Sequence, residues 1–86
     1  MMIQISNSLE LTNIDGKYVI LDCRKNTFYG INQVGVDFLA EIRAHGDFSH
    51  AISNLSDKYQ ASYEAIEVDL KTFLQILIDK GMVVGK

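Results

Sequence analysis

The sequence predicts an α+β domain in which an N-terminal three-stranded antiparallel β-meander precedes three α-helices. β-rich runs separated by turn residues occupy the N-terminal part of the chain, and apolar residues recur at helical spacing after residue 32. Hydrophobic residues make up 48% and charged residues 22% of the 86 residues, a globular balance that excludes intrinsic disorder. A chain of this length has room for one modest core, so we expect a single domain over residues 1–86.

The predicted strands begin with apolar residues at alternate positions, namely Ile3, Ile5, Leu9 and Leu11. This alternation suits one extended segment over 3–11, although the polar stretch 6–8 is able to interrupt it. The turn dipeptide Asp15-Gly16 leads into a second β-rich run over 18–23, and a short polar link leads into a third over 27–31.

The third β-rich run has two different faces. Alternation along a strand places Tyr29 and Ile31 on one face and Phe28 and Gly30 on the other. We therefore expect one aromatic ring in the core and the other at the surface. An exposed strand edge beside a helix is suited to hold an extended peptide as an additional strand, so the pattern favours a binding function.

Two helices are predicted directly after this strand. Asn32 is suited to cap a first helix over 33–45, which ends at a glycine. Asp47 or Ser49 is suited to cap a second helix, whose apolar periodicity ends near residues 59–60.

The third predicted helix is the longest. Ser62 precedes it, and Lys80-Gly81 ends it as a cation followed by a glycine. Its core stripe consists of Ile66, Leu70, Phe73, Leu74 and Leu77. The apolar segment 82–84 is expected to form a strand fragment or a tucked tail.

Charge and cysteine content restrict the partners and the compartment. The net charge of −3 argues against a nucleic-acid partner, because binding to a polyanion needs an excess of Lys and Arg. Cys23 is the single cysteine, so no internal disulfide is possible, and we interpret it as structural. Because the sequence also shows no signal peptide and no long apolar run, we expect a soluble cytoplasmic protein without a membrane partner.

Neither catalysis nor a cofactor is predicted. The carboxylates considered for acid–base chemistry are Asp57, Glu64, Glu67 and Asp69. They lack a patterned His or Ser partner, so we expect no catalytic residues and no enzyme. His45 and His50 are separated by Gly46, and we therefore expect no joint metal site. His45 is better explained as a cation at a helix C-terminus.

The order of these parts resembles the PqqD-like family, the peptide-binding domains called RiPP precursor recognition elements. The residues that carry the resemblance, between positions 15 and 84, are Tyr18, Leu21-Asp22, Tyr29-Gly30-Ile31-Asn32, Gly35, Phe38-Leu39, Val68-Asp69, Phe73-Leu74, Leu77 and Gly81-Met82-Val83. Ile31 stands where the family tends to have Leu, which keeps the apolar role. The stand-alone length most resembles the lasso-peptide branch, in which the leader-binding domain is a separate protein.

The resemblance implies a small winged helix-turn-helix-like fold and a peptide-binding function. The leader segment of a ribosomally synthesised precursor peptide would add to the edge of the strand over 27–31 and pack against the third helix. The domain would then present the leader to a separate leader peptidase and a separate macrocyclising enzyme.

The expected site combines this strand with the flank of the third helix next to its core stripe. The strand contributes Thr27, Phe28, Tyr29, Gly30 and Ile31, and the helix contributes Asp69, Thr72, Phe73, Ile76 and Lys80. Phe28 or Tyr29 on one side and Phe73 and Ile76 on the other are expected to line pockets for leader side chains. Asp69 is expected to pair with a basic group of the leader.

Each of these assignments has a structural alternative. Phe73 at a stripe position is also explained as a plain core residue, and Asp69 as a solvated carboxylate. The strand over 27–31 is equally compatible with pairing on both sides, which would remove the groove.

Two other functions fit the same architecture. A PqqD-type protein would act as a peptide chaperone for a radical S-adenosylmethionine enzyme in quinone cofactor synthesis. A winged-helix regulator would bind DNA through the third helix, but that helix carries more negative than positive charge and would repel phosphate. Its charged residues are Glu64, Glu67, Asp69 and Asp79 against Lys71 and Lys80.

Overall fold

The structure, a computed structural model, describes residues 2–85. Four strands come first, β1 (Ile3–Ile5), β2 (Leu9–Ile14), β3 (Lys17–Asp22) and β4 (Thr27–Ile31). Three helices follow, α1 (Gln33–His45), α2 (Phe48–Tyr59) and α3 (Tyr63–Asp79), and then the short strand β5 (Val83–Gly85). This order confirms the predicted α+β fold, with a three-stranded antiparallel sheet before three helices. None of the helices described between residues 2 and 85 has the length and hydropathy needed to span a bilayer.

The three-stranded sheet has the order β2-β3-β4, with β3 in the centre. Asp15 and Gly16 have positive φ angles of 53° and 84°, as a two-residue type I′ hairpin turn requires. The turn places Ile14 opposite Lys17 and so sets the pairing of β2 with β3. The predicted turn dipeptide is therefore confirmed.

The N-terminal apolar residues form two strands, where the alternation favoured one extended segment over 3–11. The hydroxyls of Ser6 and Ser8 lie 2.8 Å apart, and the N–H of Leu9 donates to the carbonyl of Ser6 at 3.2 Å. These local hydrogen bonds stabilise a turn between β1 and β2. β1 then pairs antiparallel with β5, with Ile3 opposite Gly85, and this pairing confirms a strand in the C-terminal apolar segment.

The helices begin and end where the capping residues predict. The side chains of Asn32, Asp47 and Ser62 accept backbone N–H groups at the starts of α1, α2 and α3. Gly46 and Gly81 follow α1 and α3 with a φ of 72°, a left-handed angle that glycine adopts without strain. The predicted bounds of the first helix, 33–45, are confirmed.

The core lies between the helices and the inner face of the sheet. The largest fully buried apolar side chains are Ile20, Phe38, Ile52, Leu55, Leu77 and Met82. Burial of each such side chain contributes about 1.5–3 kcal/mol. Phe38 meets Phe48 of α2 edge-on at 5.8 Å between ring centres and Phe73 of α3 at 6.2 Å, so α1 is fixed against both other helices.

A polar network ties α1 to the end of α2. The hydroxyl of Tyr59 donates a short hydrogen bond to Asp37, and Nζ of Lys58 lies 3.0 Å from the same carboxylate. Burial alone would raise the pKa of Asp37, but hydrogen bonds from Tyr59, Lys58 and Gln33, together with the charge of Lys58, hold it below its usual range. The hydrogen bond to Asp37, assisted by burial and by the negative charge, raises the pKa of Tyr59 to about 12.

Candidate functional site

β4 lies at an edge of the sheet. Across the described residues it pairs with β3 alone, from Ile31 opposite Tyr18 to Thr27 opposite Asp22. Alternate residues of an edge strand turn their N–H and C=O groups away from the sheet. These groups form a row with which an extended peptide is able to pair. Pairing on both sides, the alternative that would remove the groove, does not occur within residues 2–85.

The side chains of β4 face two different environments. Tyr29 and Ile31 are half-buried and pack against the core, so Tyr29 is the aromatic ring of this strand that enters it. Phe28 is 75% exposed on the opposite face of the sheet, next to Leu21. A Cβ at Gly30 would meet no heavy atom within 4 Å, so this outer face is open beside Phe28. A peptide paired with β4 would place alternate side chains against the helices and beside Phe28.

A cavity of about 470 Å³ opens beyond the C-terminal end of β4. Asn32, Val34 and Gly35 at the start of α1 line one side, and Asp69, Thr72 and Phe73 of α3 line the other. Three residues of the predicted site therefore lie together, next to the end of the edge strand. The cavity and the edge of β4 together form what we refer to as the β4–α3 groove.

Phe73 is both a core residue and a cavity residue. Its half-buried ring meets Phe38 edge-on, with an interplanar angle of 71°. The ring also lies 3.3 Å from the position that a Cβ on Gly35 would occupy, so a larger residue at 35 would push it aside. Because core contacts fix one part of the ring, the part that lines the cavity is held rigidly.

The opposite end of the β4–α3 groove is basic. Nζ of Lys80 lies 5.4 Å from the centre of the Tyr29 ring. Arg24 and Lys25, in the loop between β3 and β4, donate to the carbonyls of Gly81 at 3.0 Å and Lys80 at 2.8 Å. Positive charge is favourable at the C-terminus of a helix, so these contacts tie the β3–β4 hairpin to the end of α3.

The groove consequently has an acidic end and a basic end. Asp69 is exposed at the cavity, near Asn32, and Lys80 is exposed at the hairpin, near Tyr29. α3 therefore runs antiparallel to β4 along the groove. A bound peptide would be oriented by basic groups near Asp69 and acidic groups near Lys80.

The other predicted site residues are distributed between α3 and the two faces of β4. Ile76 is half-buried on α3, and Thr72 is exposed, with its hydroxyl donating to a carbonyl one turn earlier in the helix. Thr27 is exposed at the start of β4. Phe28 does not share a pocket wall with Phe73, because Phe28 faces away from the helices. Of the two aromatic residues proposed for that wall, Tyr29 is the one that faces α3.

Several residues of the groove were not among the predicted contacts, including Arg24, Lys25, Asn32 and Gly35. Asn32 directly follows the edge strand, and Gly35 lies three positions later at the start of α1. A capping Asn followed by a Gly in the first turn is a sequence signal that another side chain approaches the helix closely there. Arg24 and Lys25 carry no such signal, because their partners are 57 and 55 positions away in sequence.

The buried carboxylate of Asp22 stabilises the loop between β3 and β4. Its side chain is fully buried, and Oδ1 accepts the N–H of Arg24 at 3.0 Å and the hydroxyl of Ser8 at 3.3 Å. Burial raises the pKa of this carboxyl, but the backbone hydrogen bonds of Arg24 and Lys25, the charge of Arg24 and the Ser8 hydroxyl together hold the pKa below its usual range. A charged Asp22 thereby orients the loop that carries Arg24 and Lys25.

The connection between α1 and α2 departs from the sequence-based expectation. Gly46 was expected to separate His45 from His50, but the two rings lie 4.3 Å apart between centres. The left-handed φ of 72° at Gly46 turns the chain back, so α2 begins beside the end of α1. Glu41, one turn earlier in α1, lies in the same cluster.

Comparison with known proteins agrees with this architecture. The family model described as Coenzyme PQQ synthesis protein D (PqqD) matches residues 17–83. The structure of TbiB1 in complex with the TbiA(beta) leader peptide is similar with a TM-score of 0.82 and 23% identity, over 96% of each chain. A lasso peptide synthetase B1 complexed with the leader peptide is similar with a TM-score of 0.83 and 15% identity, over 99% of this chain and 100% of that one. Among curated protein sequences, none matches significantly.

Proposed function

The chain belongs to the PqqD family, and we propose that it binds the leader segment of a ribosomally synthesised precursor peptide in the β4–α3 groove. The observation that carries the proposal is the unpaired edge of β4 beside α3. Two solved proteins with a similar fold were each captured with a leader peptide, which supports a peptide as the occupant.

The leader adds to β4 as a further strand. Main-chain hydrogen bonds, each contributing about 1 kcal/mol net, set its register and direction. Specificity comes from the leader side chains that face α3, because buried apolar anchors dominate the energetics of most interfaces. Tyr29 and Phe73 line this side of the groove, and the outward-facing side chains of the leader meet Phe28.

The groove suits a peptide that is disordered before it binds. A disordered peptide loses conformational entropy when it becomes ordered on binding. Because the edge of β4 and the aromatic walls of the groove are already fixed, the protein itself loses little further entropy. The opposite charges of Asp69 and Lys80 add a preferred orientation.

The protein acts as a recognition element and not as an enzyme. It holds the leader and presents the remainder of the precursor to a separate leader peptidase and a separate macrocyclising enzyme. The lasso-type role is supported by the similarity to lasso peptide synthetase B1 over both whole chains.

Titration of a fluorescently labelled leader tests the proposal. The peptide is taken from the precursor encoded nearest to the gene of this protein, and anisotropy is followed as protein is added. We expect saturable binding in the micromolar range, with NMR shift changes concentrated in residues 27–31 and 69–80. Absence of saturation at tens of micromolar, or shift changes confined to other segments, would contradict it.

A charge-reversal pair separates the groove from a general charge effect. Asp69→Lys places a cation at the acidic end of the groove, and Asp57→Lys makes the same change on the exposed surface of α2. We expect Asp69→Lys to weaken leader binding several-fold and Asp57→Lys to leave it unchanged at moderate salt. Equal effects of the two variants would place the peptide elsewhere.

The family match also supports a second role, that of a peptide chaperone for a radical S-adenosylmethionine enzyme, as in quinone cofactor synthesis. Both roles use the same groove, so the partner distinguishes them. A pull-down that retains a radical enzyme encoded beside this chain favours the second role, and one that retains a peptidase or a cyclase favours the first. The charge of α3 disfavours DNA, since the exposed carboxylates Glu64, Asp69 and Asp79 outnumber the exposed cations Lys71 and Lys80.

A further inference from the structure

The α1–α2 corner holds the only two histidines of the sequence side by side. His45 is the last residue of α1 and His50 lies in the first turn of α2, with only Gly46 and Asp47 between the helices. The short connection and the left-handed backbone at Gly46 force the two helix ends together. The imidazole rings lie 4.3 Å apart between centres, at an angle of 56°.

Glu41 completes a cluster of three ligand-type side chains. It lies four residues before His45, so both side chains emerge from the same face of α1. One ligand atom from each of Glu41, His45 and His50 lies within 4.8 Å of the other two. A tetrahedral site with Zn–N bonds of about 2.0–2.1 Å needs ligand atoms about 3.4 Å apart. The two histidines are exposed, so side-chain rotation is enough to close the difference.

A neighbouring residue already orients the carboxylate. Nδ2 of Asn54, on α2, donates a hydrogen bond to one carboxylate oxygen of Glu41. Such a contact from outside the ligand set commonly fixes a ligating side chain in metal sites, and here it leaves the second oxygen available. The donor set therefore contains two imidazole nitrogens and one oriented carboxylate oxygen.

We propose that Glu41, His45 and His50 bind one divalent transition-metal ion, with Zn²⁺ as the preferred ion. Imidazole and carboxylate ligands in a three-residue set are typical of zinc, whereas Mg²⁺ and Ca²⁺ prefer oxygen ligands alone. The fourth position is left to water. The metal clamps the end of α1 to the first turn of α2, so it stabilises the folded chain by mass action.

This site is separate from the β4–α3 groove. The groove meets α1 at Asn32 and Gly35, whereas the histidines lie at the other end of this helix, which spans 13 residues. At 1.5 Å per residue the two sites are about 15–20 Å apart. Metal binding is therefore expected to change stability without changing leader affinity, and either proposal is able to fail without the other.

Calorimetric titration of the tag-free protein with Zn²⁺ near neutral pH tests the site. The titration uses a Cys23→Ser background, because the exposed thiol is an independent zinc ligand. We expect one Zn²⁺ per chain, a melting temperature that rises with Zn²⁺ and not with Mg²⁺, and Zn²⁺-dependent NMR shifts at both imidazoles.

The variants identify the ligands. His45→Ala and His50→Ala are each expected to weaken Zn²⁺ binding about tenfold or more, since loss of a supporting residue alone has such an effect in other metal sites. Glu41→Gln is also expected to weaken it, whereas Glu64→Gln, at an exposed position of α3, is the matched control and is expected to have no effect. Unchanged affinity in either histidine variant, one Zn²⁺ shared by two chains, or no rise in melting temperature would overturn the proposal.

Discussion

The ammonium group of Lys80 lies 5.4 Å from the centre of the Tyr29 ring, which joins the end of α3 to the middle of the edge strand β4. Lys80 is exposed and Tyr29 half-buried, and such a cation–π contact is worth about 0.5–1 kcal/mol. The contact links the two walls of the β4–α3 groove.

Tyr29→Leu is expected to weaken leader binding about tenfold, because it removes an aromatic wall at the centre of the interface. Tyr29→Phe keeps the ring and is expected to retain most of the affinity. Tyr63→Leu is the matched control, since Tyr63 is 38% exposed at the start of α3. Anisotropy titration of the labelled leader measures all three, and thermal melting verifies that each variant is folded. Equal affinity for Tyr29→Leu and Tyr63→Leu would exclude Tyr29 from the interface.

Phe28→Ser is expected to leave the free energy of unfolding within about 0.5 kcal/mol of the parent, because Phe28 is 75% exposed. The free protein is expected to self-associate less, since an exposed aromatic residue on an open edge strand promotes edge-to-edge pairing. Leader affinity is expected to fall by a few-fold, because outward-facing leader side chains lose a neighbour. Urea unfolding measures the stability, light scattering the self-association and anisotropy the leader affinity. A large loss of stability would show that Phe28 is buried in solution.

Tyr59→Phe is expected to lower the free energy of unfolding by about 1–2 kcal/mol, because it leaves a charge-assisted hydrogen bond to Asp37 unmade. Urea unfolding at neutral pH measures the loss. Tyr18→Phe is a suitable control, since Tyr18 is half-buried in β3 and makes no hydrogen bond to Asp37. A neutral effect of Tyr59→Phe would show that Lys58 and Gln33 satisfy the carboxylate without the hydroxyl.

Because of the same network, the free energy of unfolding is expected to depend on pH at both the acidic and the alkaline end. The folded-state pKa of Asp37 lies below the ordinary value of 3.8, so its contribution is present above that value and is lost as the pH falls through the folded-state pKa. The folded-state pKa of Tyr59 is raised from 10.0 to about 12, so its contribution is full below pH 10 and is lost as the pH rises toward 12. Urea midpoints across this range are expected to vary less in Asp37→Asn than in the parent.

Gly46→Ala is expected to destabilise the fold by about 1 kcal/mol, because the φ of 72° strains any residue with a Cβ. The new Cβ would lie 3.2 Å from the terminal methyl of Met2, which is flexible enough to move. Gly30→Ala is the matched control: its Cβ would meet nothing within 4 Å and its φ is not positive. Comparable destabilisation by both changes, measured by urea unfolding, would mean that helix and strand propensity outweigh the turn geometry.

Local sequence patterns accounted for the elements of the groove. The Asn32 cap and the Gly46 stop define α1, the Asp15-Gly16 turn defines the β2–β3 hairpin, and alternation places Tyr29 and Phe28 on opposite faces of β4. These features depend on interactions between residues a few positions apart, which a single sequence displays directly. The helical flank of Asp69, Thr72 and Phe73 followed from periodicity for the same reason.

Contacts between residues far apart in the sequence are not predicted by local patterns. Alternation predicts that Ile3 and Ile5 are extended but does not name β5 as their partner, and no local signal brings Arg24 to the carbonyl of Gly81. The approach of His45 to His50 depends on the angle at which one turn redirects a helix. Backbone preferences and side-chain periodicity are local, so they fixed the helices, the strands and their faces. Which edge stays unpaired, which ring lines the groove and which side chains meet at the α1–α2 corner depend on packing between segments far apart in the chain, and only the folded arrangement sets them.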